Sequence, residues 1–449
     1  MEKYKDWTRD QLLERLVQLE QNTNGSNATA PPISKKAAKK MKKESKKSKK
    51  ERDQKPFDMS KYRQRHVAFR VAYLGWRYAG FASQGDEITL PTVEGQLFTA
   101  LEQTRLIVDR DNCNYSRCGR TDRGVSGLGQ VIMINVRSNS PLDPDAPFSP
   151  VDQECPYVDM LNRSLPDDIR VLSWAPVADD LNARFDCRSR TYRYLFRIDQ
   201  HHPLDVQRMR EAARYFVGSH DFRNFCKLDP AKNITNYHRT MMACDIFPLD
   251  SQGSLTIPED TTPTDDGPRM WTMQLQGSAF LWHQVRCMMS VLFLVGRGYE
   301  APTIVKDLLD IDKYPGRPEY PLASDLPLIF FDCAYDNPID WTSCAANTHL
   351  PRLFSHLDER CYMEDVRSHT CQLFYQRVVA DFPEQAANIG PANDTRTMVV
   401  LGGGATSTLH RYRPLEGRIR CHTDEQRKIG YLNRKRKRAE FEAEAEKSA

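Results

Sequence analysis

Alternating and periodic apolar positions divide the chain into a patterned middle and two weakly patterned ends. HVAFRVAYLGW at 66–76 roughly alternates and is rich in Val, Phe and Tyr, which predicts a strand. In TVEGQLFTALEQT, 92–104, Val93, Leu97 and Leu101 recur at a spacing of four behind a threonine cap, so a helix is expected. GQVIMINVRS at 129–138 returns to strand, a Pro- and Asp-rich loop covers 139–156, and YVDMLNRSLP and IRVLSWAPV predict a helix and a strand. A second unit repeats the theme: RTYRYLFRI as strand, VQRMREAARYFVG as helix, MWTMQLQGSAF as strand, WHQVRCMMSVLFLVG as helix, LIFFDCAYD as strand. Each unit reads as a sheet with helices on one face. No residue-level repeat links them, so the two-unit idea rests on element order.

The ends read differently. Thr8-Arg-Asp-Gln11 has the form of a capping box, and Leu12, Leu16 and Leu19 follow on one face, predicting a short amphipathic helix within 1–20. Residues 21–60 are a disordered Lys-rich linker by composition. The halves are then expected at 61–178 and 179–340. A C-terminal extension, 341–449, has no sustained period, a Gly-Gly-Gly at 402–404 and a basic end. The expected class is α+β with disordered basic tails.

Charge and cysteine usage narrow the picture. The formal net charge is +4, yet Lys35 to Arg52 alone holds ten Lys, one Arg and two Glu, so the rest of the chain is net acidic. Segmental charge fits a basic arm reaching toward a polyanion, and it also fits a solubilising run. None of the twelve cysteines forms a C-x-x-C, and Cys113 and Cys118 lack a second pair or histidines at zinc spacing, so no metal site is expected. The amino terminus has no apolar h-region, and the longest apolar stretch, Cys287 to Val295, is too short to span a bilayer. A soluble, reduced, intracellular protein is expected, with no membrane partner. RKRKR at 434–438 and the earlier lysines read as nuclear import signals or as nucleic-acid patches, placing the protein in nucleus and cytoplasm.

The chemistry concentrates in CGRTDRGVSGLG, 118–129, where Asp122 lies between Arg120 and Arg123. A carboxylate acts as nucleophile or base only while ionised, and a nearby cation keeps it so away from bulk water. In an extended loop at most one flanking arginine faces the same cavity. Gly119, Gly124, Gly127 and Gly129 allow close approach of a bulky ligand. The bland alternative is a turn whose Asp caps local amides and whose arginines are solvated.

CGRTDRGVSGLGQV resembles the GRTD-x-GV-[HS]-A signature of the TruA family of tRNA pseudouridine synthases. RVAYLGWRYAGFASQ at 70–84, ARFDCRSRTYRY at 183–194, GSHDFRNFCK at 218–227 and GSAFLWHQVRCMMSVL at 277–292 are similar to four further family segments, in family order. One departure is Gly127, where most members carry Ala; the expected consequence is at most a looser loop. The resemblance implies that Asp122 is the catalytic carboxylate. It implies that Tyr192 stacks on the uracil and assists proton transfer at C5, although an alternating core aromatic is the other reading and fits Tyr194 better. Arg286, among Val285, Met288, Met289 and Leu292 on an apolar helix, is implied to pair with Asp122. Arg120 is implied to enter the RNA and hold the target nucleotide out of its stack. Leu328 is implied to line the uracil pocket, with an ordinary core leucine as the alternative. His220 and His283 sit at helix boundaries with no partner in view and read as structural or RNA-facing.

The implied reaction breaks the N1–C1′ bond of uridine, turns the base and joins C5 to C1′. It involves neither redox change nor hydrolysis, so no cofactor is expected. The implied architecture is two similar halves around a central RNA-binding cleft, in a homodimer across which tRNA lies through its anticodon stem-loop; other RNAs stay open as substrates. RHVA, GFASQ and HQVRCMM are most similar to the eukaryotic tRNA pseudouridine(38/39) synthases; a separate sister group with the same signature acts at positions 27 and 28. Two other classes remain in play: a non-catalytic RNA-binding protein on the same scaffold, and a glycoside or nucleoside hydrolase, which would need two carboxylates flanking the bond.

Overall fold

The computed structural model describes residues 57–448 apart from 86, 88, 144, 199–202, 229–233, 251–252, 256–268, 342–349, 389–396 and 410. The helix expected within 1–20 and nearly all of the Lys-rich linker lie outside the described residues.

Among the described residues nine strands form one sheet. In chain order they are β1 (Gln64–Tyr73), β2 (Ser116–Arg117), β3 (Ser126–Arg137), β4 (Ile169–Pro176), β5 (Cys187–Arg197), β6 (Gly218–Asp221), β7 (His238–Pro248), β8 (Met270–Gly277) and β9 (Leu328–Tyr335). The spatial order is β4-β1-β3-β9-β5-β8-β7-β6, with β2 on the side of β3. Every pairing is antiparallel except β3 with β9, which run parallel over Ser126↔Ile329 and Gly127↔Phe330. That short parallel seam joins the two halves. On each side of it the order is third, first, second strand: β4-β1-β3 in one half and β9-β5-β8 in the other. The repeat of element order in the sequence thus has a counterpart in the sheet, with β7 and β6 added at the second half's edge.

Strand alternation sends Val67, Phe69, Val71 and Tyr73 of β1 to one face and Ala68 to the other. Over the first face lie α1 (Val93–Gln103) and α2 (Tyr157–Ser164), burying Val93, Leu97, Leu101, Tyr157, Val158 and Leu161. Thr92 caps α1 by accepting from the Gly95 amide at 3.1 Å. In the second half α3 (Val206–Arg214) and α4 (Gln284–Gly296) cover β5, β7 and β8 around Met209, Met288, Leu292 and Phe293. The short α5 (Ile304–Leu309) adds Ile304, Val305 and Leu308.

Beyond residue 340 come α6 (Leu350–Asp381), α7 (Pro383–Asn388), a hairpin of β10 (Thr397–Gly402) and β11 (Ala405–Leu409), and α8 (Asp424–Ser448). Val399 and Val400 of β10 and Leu415 are buried in the second half's core. Part of the expected extension is therefore core. The glycine triplet makes the hairpin turn, all three residues having positive φ, and a Cβ on Gly402 would fall 2.3 Å from the Tyr194 hydroxyl. No helix among the described residues is long and apolar enough to cross a membrane.

Candidate active site

The loop carrying Asp122 enters β3 immediately before the parallel seam, and its backbone is held at almost every residue. Gln130, buried in β3, accepts from the Gly119 amide at 3.1 Å and donates to the Gly119 carbonyl at 3.0 Å. The Tyr73 hydroxyl lies 2.8 Å from the Thr121 hydroxyl. The amides of Phe81 and Gly124 donate to Thr121 and Tyr78 carbonyls at 3.1 and 3.3 Å, and Val125 donates to the Asp122 carbonyl at 3.2 Å. Two glycines of the first strand's exit let this loop pack closely. A Cβ on Gly75 would sit 1.9 Å from the Val125 carbonyl oxygen, and Gly80, at φ +112°, would meet the Thr121 carbonyl at 2.9 Å. The loop's entry is anchored by fully buried Glu94 of α1, which accepts from Arg110 and Tyr115 at 2.8 Å each and pairs with Arg117 of β2.

Gly127 requires a correction. It lies within β3, and a Cβ there would fall 2.6 Å from Cζ of Tyr73. The missing methyl makes room for the tyrosine that holds Thr121. The glycine tightens the loop where looseness was expected.

Asp122 is partly exposed, and a cation-capable group beside it is His283, whose Nε2 lies 3.7 Å from Oδ2. The flanking Arg120 and Arg123 are both exposed. Tyr192 of β5 is half-buried, its ring in edge contact with Phe280 at 4.8 Å and Phe330 at 5.2 Å. Burial, then Tyr73 and the Asp122 carboxylate, hold the Tyr192 phenol well above its ordinary range, so it stays protonated. Phe330 pairs with Gly127 at the parallel seam, which brings Tyr192 of the second half beside the strand that the Asp122 loop enters.

Arg286 lies in the first turn of α4, and here the structure departs from the implied pairing. Its Nε donates to the Ala323 carbonyl at 2.7 Å, and Nη1 lies 3.5 Å from Oδ2 of Asp325. The reason is local: the segment before β9 runs along α4, and Ser290 also donates to the Pro321 carbonyl at 2.7 Å. The guanidinium is used to stitch that segment down, while still repelling a proton on His283.

His283, set aside on sequence grounds, is the residue that reasoning from sequence missed. It precedes α4 with φ 59° and ψ 15°, a left-handed conformation costing a residue with a Cβ roughly 1–2 kcal/mol. Burial, then Arg286 and Lys227, push its imidazole down to about 4, so it is uncharged at neutral pH. Its partner is far away in sequence. The available signal was a histidine immediately before an apolar helix, in FLWHQV.

Arg120 projects at the rim with Arg117 and Arg184 close enough, after burial, to lower its guanidinium below the usual range. Phe185 beside Arg184 is 79% exposed, its ring 5.6 Å from that guanidinium. Clustered arginines and an open aromatic ring suit a polyanion with stacking bases. Leu328 is buried in the second half's core, opposite Tyr194 in the β5 register, and the β9 side chain touching Tyr192 is Phe330. Tyr194 is fully buried, its hydroxyl donating to the Ser324 carbonyl at 3.0 Å.

Cysteine spacing excluded a metal site, but folding brings three thiols together: the sulfurs of Cys118, Cys187 and Cys333 lie within 4.8 Å of one another. Ala68, Val131, Met133 and Phe330 share their apolar cluster. Three thiolates fall one short of the four ligands of a closed zinc site.

Residues 212–336 match a family model described as tRNA pseudouridine synthase. The chain is 36% identical to the tRNA pseudouridine(38/39) synthase of Saccharomyces cerevisiae, covering 92% of this chain and 88% of that protein. It is 38% identical to the human protein of the same name, over 85% of this chain and 80% of that one. The tRNA pseudouridine synthase A of Methanothermobacter thermautotrophicus is 32% identical over 58% of this chain and 81% of the archaeal one.

Proposed function

The chain belongs to the TruA family of tRNA pseudouridine synthases, and from that premise we propose that it isomerises uridine to pseudouridine at positions 38 and 39 of the tRNA anticodon stem-loop, with Asp122 as its catalytic carboxylate. The observation that supports the reading is the contact of Asp122 with His283 across the two halves, with Tyr192 on β5 touching Phe330, the residue paired with Gly127 at the parallel seam. One carboxylate serves the reaction, because isomerisation needs no water activated by a second acid. Cleavage of N1–C1′ leaves the uracil with the electron pair. Asp122 then serves either by bonding C1′ or by removing the 2′ proton to give a glycal, and it restores the sugar when C5 bonds C1′. N1 ends with a proton and C5 loses one.

Each remaining side chain has a use in that sequence. Tyr192, held protonated, stacks on the uracil as it turns and donates a hydrogen bond; the C5 proton leaves to another acceptor. Arg120, with Arg184, offsets the few kcal/mol of extruding the nucleotide. Arg286 keeps the segment before β9 against α4, and Leu328 shapes the pocket wall from the core side.

A homodimer is favoured by α6, which buries no residue of its own and exposes Phe354, Leu373, Phe374 and Tyr375. The lysine run and Arg434–Arg438 support work in nucleus and cytoplasm, with other RNAs as further substrates. The experiment is to incubate the full chain with unmodified tRNA transcripts and map pseudouridine by position. Product at 38 and 39 is expected; product at 27 and 28 moves the chain to the sister group, and bound but unmodified tRNA makes it an RNA-binding protein.

A further inference from the structure

His283 combines three features that a helix-capping residue does not need. The first is its left-handed backbone, fixed from both sides. Trp282 accepts from the Lys227 amide at 3.0 Å, Leu281 donates to the Gln284 side chain at 2.8 Å, and the His283 carbonyl accepts the bond from Cys287 at 3.0 Å. Glycine would take this conformation without strain, so strain is retained for the side chain. The second is direction: Nε2 faces Oδ2 of Asp122 at 3.7 Å, a few tenths of an ångström beyond hydrogen-bond range. The third is an orphan, since Nδ1 is buried with no hydrogen-bond partner. A carboxylate opposite Nε2 draws the ring's single proton to that nitrogen and leaves Nδ1 bare.

We propose that His283 is the positioning residue of the reaction, its Nε2–H closing on Oδ2 of Asp122 when the nucleotide enters and holding the other carboxylate oxygen toward the sugar. The proposal rests on Asp122 being the catalytic carboxylate. An uncharged imidazole suits the task, because it orients the carboxylate without the full countercharge that would quench it. The surroundings keep it uncharged: Arg286 of α4, Lys227 and Arg317 oppose protonation, against Asp325 and the facing Asp122. Long contacts of this kind shorten in the substrate complex.

Three variants test it in the full chain. His283→Gln keeps an N–H donor at a similar reach, His283→Leu keeps bulk without a donor, and His283→Gly removes the side chain from a backbone that glycine accepts. Leu and Gly variants are expected to lower kcat on unmodified tRNA by about 30- to 100-fold while KM stays within about threefold, and Gln to recover to within about fivefold of wild type. The Gly variant is expected to melt no lower than wild type. A Leu or Gly variant within twofold of wild-type kcat overturns the proposal, as does a Gln variant as slow as Leu, or a loss confined to KM, which would mark an RNA contact. If the Leu protein fails to fold, the Gly and Gln pair decides. An inactive wild type, or an active Asp122→Asn protein, would instead overturn the functional reading beneath it.

Discussion

The two halves share a strand order and divide the chemistry. The first half supplies its carboxylate from a loop with little side-chain support of its own, clamped through Gly119, Thr121 and Gly124 and admitted by Gly75, Gly80 and Gly127. The second half supplies Tyr192, His283 and Arg286 from a central strand, at an irregularity in its pairing with β9, and from the start of a helix in a packed apolar core. The loop is therefore specified by what is absent, since any added carbon displaces it. The helix side is specified by polar atoms placed in an apolar setting. Damage to the first half should be steric and damage to the second electronic.

The largest expected effect, apart from removal of the carboxylate itself, is in the first half. Gly75→Ala puts a carbon 1.9 Å from the Val125 carbonyl, and backbone against backbone cannot yield. About 2–3 kcal/mol of stability should be lost, together with about 100-fold in turnover from the displaced loop, read by thermal melting and single-turnover kinetics. Unchanged turnover would break the comparison. Next, Tyr192→Leu should cost about 30-fold or more in turnover through the lost stacking surface, while Tyr192→Phe keeps the ring and stays within about tenfold. Equal losses would assign the role to the hydroxyl. Tyr73→Phe removes the hydroxyl's contacts with Thr121 and Gln130 and should cost about 1 kcal/mol and a few-fold in turnover. The smallest effect is none. Because His283 is pushed down to about 4 from an ordinary 6.5, the folded protein leaves it uncharged between pH 5.5 and 8. Wild type and His283→Gln should then share one pH–rate profile shape over that range. A step near pH 6.5 in wild type alone would contradict it. The stability linked to this histidine is complete above pH 6.5 and is lost as pH falls toward 4.

Much of this was legible where pattern and packing coincide. The alternation of Val67, Phe69 and Val71 and the spacing of Val93, Leu97 and Leu101 gave strand and helix because each set faces one core. Asp122 was marked by its motif. What stayed hidden depends on contacts between distant segments. His283 looked partnerless because Asp122 lies in the other half, and the thiols of Cys118, Cys187 and Cys333 meet only across strands. Gly127 was misjudged because its neighbour is Tyr73, on another strand. Arg286 was paired with the wrong carboxylate because Asp325 belongs to a segment with no periodic pattern. The 32-residue α6 was missed because its apolar residues are scattered and none is buried, leaving no stripe to read.

The most direct measurement is single-turnover pseudouridine formation by Asp122→Asn beside wild type, on the same unmodified tRNA and with binding measured in parallel. The amide keeps the shape and the backbone clamps but cannot act as nucleophile or base. Wild type should convert its target uridines while the variant binds tRNA within a few-fold and forms product at least about 10³-fold more slowly. Comparable conversion by both proteins would contradict a catalytic carboxylate at the seam.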